Sequence, residues 1–189
     1  NVTNAEDALN EILEYLGAKV IRNEETIEID SSNIVNKEIP ENISSKLRAS
    51  YYLLGALLGK FGEASVSMPG GCYFGERPID QHIKGFEALG AVVSTESAIV
   101  SATADDLMGS SVYMDVVSVG ATMNAILASV LAEGTTIIDN AAKEPHIVDV
   151  ANFLNTMGAD IRGAGTDLIK VRGVKKLSGN STYSVVPDQ

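Results

Sequence analysis

The sequence predicts an α/β fold built from a recurring unit of helix, glycine stop and strand, and two observations carry that expectation. Three segments show apolar residues at three-and-four spacing and end on Gly-Ala, the mark of a helix with one buried face. Two further segments are apolar nearly all round, and a helix without a polar face is a buried one.

The first helical segment has Ala5, Ala8, Leu9, Ile12, Leu13 and Leu16 on one side and stops at Gly17-Ala18-Lys19-Val20. Thr3 followed by Glu6 reads as its capping box, and Thr26-Ile27-Glu28-Ile29 alternates like a strand. Leu47 to Lys60 is the first buried helix and passes through Gly62 into a strand at Ala64-Ser65-Val66. The second unit repeats the order. Ile79, Ile83, Phe86 and Leu89 lead to Gly90-Ala91-Val92-Val93, with Pro78 in the first turn, where no intrahelical donor is lost. Val119 to Ala132 is the second buried helix, and Gly134 leads into Thr135-Thr136-Ile137-Ile138. Aligning Gly62 with Gly134 sets Arg48 opposite Gly120, so the two buried helices start at corresponding places.

The third unit opens at Pro145 with Ile147, Val150, Ala151, Leu154 and Met157, then Gly158-Ala159-Asp160-Ile161 and a strand at Leu168-Ile169-Lys170-Val171. Gly17, Gly90 and Gly158 are expected in the left-handed conformation that ends a helix. The units span approximately 1–70, 71–142 and 143–189, and the last has no buried helix of its own. The chain therefore reads as one lobe, residues 1–189, and as a piece of something longer.

Composition narrows the function. A net charge of −11 and a pI near 4.5 argue against a nucleic-acid partner. Hydrophobic residues at 45% and charged residues at 21% are those of a soluble globular protein. A lone cysteine excludes an internal disulfide and fits a reducing cytosol, and the first residues lack the basic and apolar regions of a signal peptide. The longest uncharged stretch, Val119 to Ala132, is shorter than the roughly 20 residues that span a bilayer. A cytoplasmic protein with no membrane association is expected. His82 and His146 lack metal-ligand spacing, so no metal site is expected.

The candidate chemistry lies in loops and helix starts. Met68 to Pro78 is broken by Pro69, Gly70, Gly71 and Gly75 and carries Cys72. A lone cysteine can be a small buried hydrophobe; flanking glycines and nearby Arg77 argue equally for an exposed, activated thiol. Arg48 and Arg77 stand at helix starts, where free N–H groups and the helix dipole already favour anions. An Arg there adds a planar donor fork for phosphate or carboxylate, or else pairs at the surface. Ser118-Val119-Gly120-Ala121-Thr122 is a small-residue entrance through which backbone amides can approach a diphosphate. Asp80 sits in a first turn, where the dipole favours a carboxylate anyway.

These motifs resemble a known family. Pro69-Gly70-Gly71-Cys72, Gly75, Arg77-Pro78-Ile79-Asp80 and His82 resemble the signature of the UDP-N-acetylglucosamine enolpyruvyl transferases. Leu47-Arg48-Ala49-Ser50, Val117 to Thr122, Leu131 to Thr136, Asn140 to Pro145 and Ala151 to Leu154 continue the resemblance in order along the whole chain. The resemblance implies two similar lobes, each an inside-out α/β barrel of three related units with helices inside and sheets outside. This chain would be the Cys-loop lobe, with its third unit incomplete.

The implied reaction transfers enolpyruvate from phosphoenolpyruvate to the 3′-hydroxyl of UDP-N-acetylglucosamine, releases phosphate and commits material to peptidoglycan. It needs no metal or cofactor. By the same resemblance Cys72 is the proton donor and also forms an adduct with phosphoenolpyruvate. Arg48 and Arg77 line the anionic substrates. Arg77, Pro78, Ile79, Asp80 and Gln81 hold the uridine nucleotide, and Ser118, Val119 and Gly120 approach the diphosphate. The implied partners are the two substrates and the second lobe of the same enzyme, which carries the catalytic Asp base. The family's Lys-Asn pair is expected before Asn1, so this lobe alone is expected to be inactive. Val116 stands where some members carry Lys, and Gln189 where Arg is expected. Two alternatives remain: a lobe of the sister transferase acting on shikimate 3-phosphate, which lacks the reactive thiol, or a nucleotide-sugar-binding module in which Cys72 is inert.

Overall fold

A computed structural model describes residues 2–23, 26–46, 48–67, 79–179 and 181–186, with the backbone alone at 2–4, 48 and 49. The first unit runs α1 (Val2–Tyr15), β1 (Lys19–Arg22), β2 (Ile27–Asp30), a short α2 (Glu41–Ser44), a 3₁₀ turn at Arg48–Tyr51, α3 (Tyr52–Phe61) and β3 (Glu63–Ser67). The second runs α4 (Asp80–Ala88), β4 (Val92–Ser94), β5 (Ile99–Thr103), β6 (Ser111–Tyr113), α5 (Val119–Ser129) and β7 (Thr135–Asp139). The third has α6 (Pro145–Thr156), β8 (Asp160–Arg162) and β9 (Leu168–Arg172).

The helix–glycine–strand pattern is present as expected. Gly17, Gly90 and Gly158 take φ of 107°, 94° and 99°, a region that a Cβ disfavours. Each outer helix turns its apolar stripe inward: Ile12 and Leu16, Phe86 and Leu89, Ile147 and Ala151 are all buried. A fully buried Leu, Ile or Phe contributes about 1.5–3 kcal/mol through area removed from water. The strands form three sheets, ordered β1-β2, β3-β5-β4 and β6-β7-β9-β8. In β9 the residues alternate exposed and buried along its length, so one face packs inward and the other meets solvent.

The strand leaving each buried helix joins the hairpin that follows it. β3 pairs antiparallel with β5, and β7 pairs antiparallel with β9. The β1-β2 hairpin has no such third strand among the described residues. Two cores fill the space behind the sheets: one joins α1, α3, α4, β3 and β5, the other α5, α6 and β6 to β9.

The two inner helices α3 and α5 lie against each other at the junction of these cores. Their backbones touch through glycine: a Cβ at Gly55 would come within 2.6 Å of both the carbonyl oxygen and the Oδ1 of Asn124. A Cβ at Gly59 would stand 2.9 Å from the Leu127 carbonyl oxygen.

Several local expectations are corrected. α1 is already helical at Val2, so Thr3 lies within the helix rather than at its cap. Ala5 is exposed and Leu9 is 38% exposed, which makes the buried stripe of α1 narrower than its apolar spacing. Pro78 lies outside the described residues; the described part of the second outer helix begins at Asp80, with Ile79 at its N-cap. Arg48 opens a 3₁₀ turn rather than an α-helix, and α3 proper starts at Tyr52. The second buried helix ends at Ser129, not Ala132, because the chain must turn there to bridge Glu133 to Met108.

Candidate functional site

The entrance of α5 is a capped helix start. Ser118 holds an extended backbone, and its Oγ accepts the Ala121 N–H at 3.3 Å while its carbonyl accepts from Thr122 at 3.0 Å. The Val119 and Gly120 amides have no acceptor among the described residues. Such free donors, aligned with the helix dipole, are what an anion needs. Val119 packs its side chain on the core, and Gly120 is half-buried without a side chain to block approach.

The start of α4 is tied to the segment leading into α5. Gln81 is 6% exposed and uses both ends of its carboxamide. Its Nε2 donates to Asp80 Oδ2 at 3.1 Å and Asp115 Oδ2 at 3.3 Å, and its Oε1 accepts the Asp115 N–H at 2.8 Å. Lys84 Nζ reaches Asp115 Oδ1 at 2.7 Å and lies 5.5 Å from the Tyr113 ring centroid. Hydrogen bonds from Lys84 and then Gln81 hold the Asp115 carboxyl below its usual range. The Gln81 side chain thus serves the chain itself, while Asp80 remains exposed at the helix start and Ile79 packs on the core behind it.

His82 follows in the first turn of α4. Its Nδ1 is 2.8 Å from Asn124 Nδ2, and burial pushes its pKa down to about 4 against the opposing pull of Asp80. The imidazole is therefore neutral at physiological pH. Asn124 also reaches α3: its Oδ1 accepts the Gly55 N–H at 3.0 Å, and its Nδ2 donates to the Tyr51 carbonyl at 2.9 Å. In a regular helix Tyr51 C=O and Gly55 N–H would serve only each other. The Asn124 carboxamide meets both of these groups at the joint between the 3₁₀ turn and α3.

The structure thus places Ile79, Asp80, Gln81, Ser118, Val119 and Gly120 on two adjoining helix starts. Arg48 begins the turn whose last residue, Tyr51, is held by Asn124. Cys72, Arg77 and Pro78 lie outside the described residues, in the connection between Ser67 and Ile79. Sequence reasoning gave no role to Asn124, Asp115 or Lys84. Asn124 had a legible signal: a lone Asn in an otherwise apolar helix must find partners when buried. No cluster of three or more His, Cys, Asp or Glu side chains suited to a metal occurs among the described residues. None of the described helices is long and apolar enough to cross a membrane.

Outer sheets packed over inner helices define a class of fold, and comparison with known proteins agrees. The family model for EPSP synthase (3-phosphoshikimate 1-carboxyvinyltransferase) matches residues 1–189, and the chain belongs to that family. Within it, the chain is 60% identical over 191 residues to UDP-N-acetylglucosamine 1-carboxyvinyltransferase 2 of Clostridium acetobutylicum, covering 100% of this chain and 46% of that protein. It is 57% identical to the UDP-N-acetylglucosamine 1-carboxyvinyltransferase of Clostridium botulinum, again over 100% of this chain and 46% of the relative. The chain spans about half the length of the curated relatives it matches.

Among solved structures, the enolpyruvyl transferase NikO of Streptomyces tendae superposes with a TM-score of 0.75 at 26% identity, covering 89% of this chain and 40% of that one. EPSP synthase of Acinetobacter baumannii gives 0.70 at 19% identity over 91% of this chain and 40% of its own, a likeness of fold alone.

Proposed function

We propose that the chain is the Cys-bearing lobe of a UDP-N-acetylglucosamine 1-carboxyvinyltransferase. The observation that carries this reading is the 60% identity along the whole chain to a protein of that name. The α5 entrance with its open Val119 and Gly120 amides, beside the start of α4, supports it. Those amides suit a substrate pair rich in phosphate and carboxylate.

In this reading the 3′-hydroxyl of the sugar adds to the central carbon of phosphoenolpyruvate, and a proton is delivered to the methylene carbon. Loss of that methyl carbon's proton then expels phosphate and restores the double bond. Cys72 supplies the proton in the first step and forms an adduct with phosphoenolpyruvate. Arg48 and Arg77 neutralise the carboxylate and phosphate charge. Arg77, Pro78, Ile79, Asp80 and Gln81 flank the uridine nucleotide, with Gln81 acting through its backbone because its amide is engaged. The amides of Ser118, Val119 and Gly120 face the diphosphate. A second lobe supplies the base, and a reducing cytoplasm keeps the thiol free.

The test is phosphate release from phosphoenolpyruvate with UDP-N-acetylglucosamine or shikimate 3-phosphate as acceptor. The full-length protein carrying this chain turns over only with the nucleotide sugar, the 189 residues alone release none, and Cys72→Ser in the full-length protein removes turnover. Turnover with shikimate 3-phosphate, or steady-state release by the isolated chain, overturns the reading.

A further inference from the structure

Asn124 sits within α5, fully buried, and its orientation is dictated by its partners. The Gly55 N–H can only donate, so the atom 3.0 Å from it is the carboxamide oxygen. The Tyr51 carbonyl can only accept, so the atom 2.9 Å from it is the amide nitrogen. The second N–H of that nitrogen then points at His82 Nδ1, 2.8 Å away. An amide NH₂ does not accept, so Nδ1 is the bare nitrogen of the neutral ring and the proton resides on Nε2.

That Nε2 lies beside Gly120. A Cβ there would stand 3.0 Å from His82 Cε1 and 3.1 Å from Nε2, so the ring occupies the space that any larger residue would claim. No described residue accepts the Nε2–H. Three entrances therefore meet at one amide: the turn that begins at Arg48, the start of α4 and the start of α5.

We propose that Asn124 is a positioning residue of the substrate site, holding the Arg48 turn and α4 against the α5 entrance and fixing His82 with its Nε2–H presented beside Gly120 toward the bound nucleotide sugar. This rests on the reading that these helix starts bind the anionic substrates. Asn124 touches no substrate itself; it acts through His82 and the Tyr51 carbonyl. The arrangement requires both of its amide protons. A carboxylate in its place keeps the acceptor for Gly55 but loses both donors, and it draws the imidazole proton to Nδ1.

Histidine nitrogen chemical shifts and steady-state kinetics on the full-length protein carrying this chain test the proposal. Wild-type His82 should show the Nε2–H tautomer, and Asn124→Asp should invert it. With one charge-assisted hydrogen bond misplaced, KM for UDP-N-acetylglucosamine should rise about tenfold, with a smaller change in kcat. His82→Phe leaves both contacts of Asn124 with α3 in place and should raise the same KM by about tenfold, so it decides the matter if the Asn124 variant does not fold. A wild-type Nδ1–H tautomer, or unchanged KM in His82→Phe, overturns the proposal. If the wild-type protein neither binds nor turns over the nucleotide sugar, the functional reading itself has failed, visibly and before any variant is compared.

Discussion

The two inner helices are counterparts in the repeat, yet they begin differently. α5 starts as an α-helix on a serine cap and offers bare amides at Val119 and Gly120. α3 is preceded by a 3₁₀ turn, and the position matching Gly120 is Arg48. One entrance presents backbone donors; the other is tied through its Tyr51 carbonyl to Asn124. The contact that fixes them relative to each other is polar at its centre, through Asn124, and glycine-lined along its length.

The largest expected effect breaks that contact. Gly55→Ala drives a Cβ to 2.6 Å from Asn124 and should lower stability by about 3 kcal/mol in denaturant unfolding, at the upper end of overpacking. Gly59→Ala, at 2.9 Å from a single carbonyl oxygen, should cost less; equal effects would mean the Asn124 joint is not special.

Acid provides the next test, on the α4 side. His82 titrates near 4 when folded and near 6.5 when unfolded, so between those values the unfolded chain binds the extra proton. Its stabilising contribution is complete above pH 6.5 and is lost as pH falls towards 4, amounting to roughly 3 kcal/mol. The urea midpoint should fall across that window, and His82→Phe should flatten the slope.

On the cationic side, Arg48→Gln in the full-length protein should raise KM for an anionic substrate by a factor corresponding to about 2 kcal/mol, with little change in thermal midpoint. A fall in stability without a KM change would remove Arg48 from the site. The smallest effect belongs to the capped side: Ser118→Ala should cost about 1 kcal/mol, read by thermal unfolding, with Ser118→Asp retaining the cap.

Much of the architecture was legible because repeats leave periodic marks. The apolar stripes of α4 and α6, the glycine stops and the all-apolar inner helices follow from spacing alone. The start of α3 was not, because no local signal in Leu47 to Lys60 announces a 3₁₀ turn at Arg48–Tyr51 ahead of the helix. α1 was misread at its start, where a Thr-to-Glu spacing fits a cap and an early turn equally well. At the site, Ser118, Val119 and Gly120 were readable as a small-residue entrance, whereas the Gln81–Asp115–Lys84 linkage depends on tertiary approach of two loops. Cys72 and Arg77, which the sequence marks most strongly, lie outside the described residues, so their roles rest on resemblance and chemistry.

The short hairpin β1-β2 carries one more consequence. Ile27–Asp30 has a strand neighbour on one side only among the described residues, and Ile29 is 46% exposed there. Peptide groups with no partner among the described residues, flanked by an isoleucine, are a template for adding another strand. In concentrated solution the chain should self-associate through this margin, and a short strand peptide supplied in trans should suppress that stickiness by occupying it.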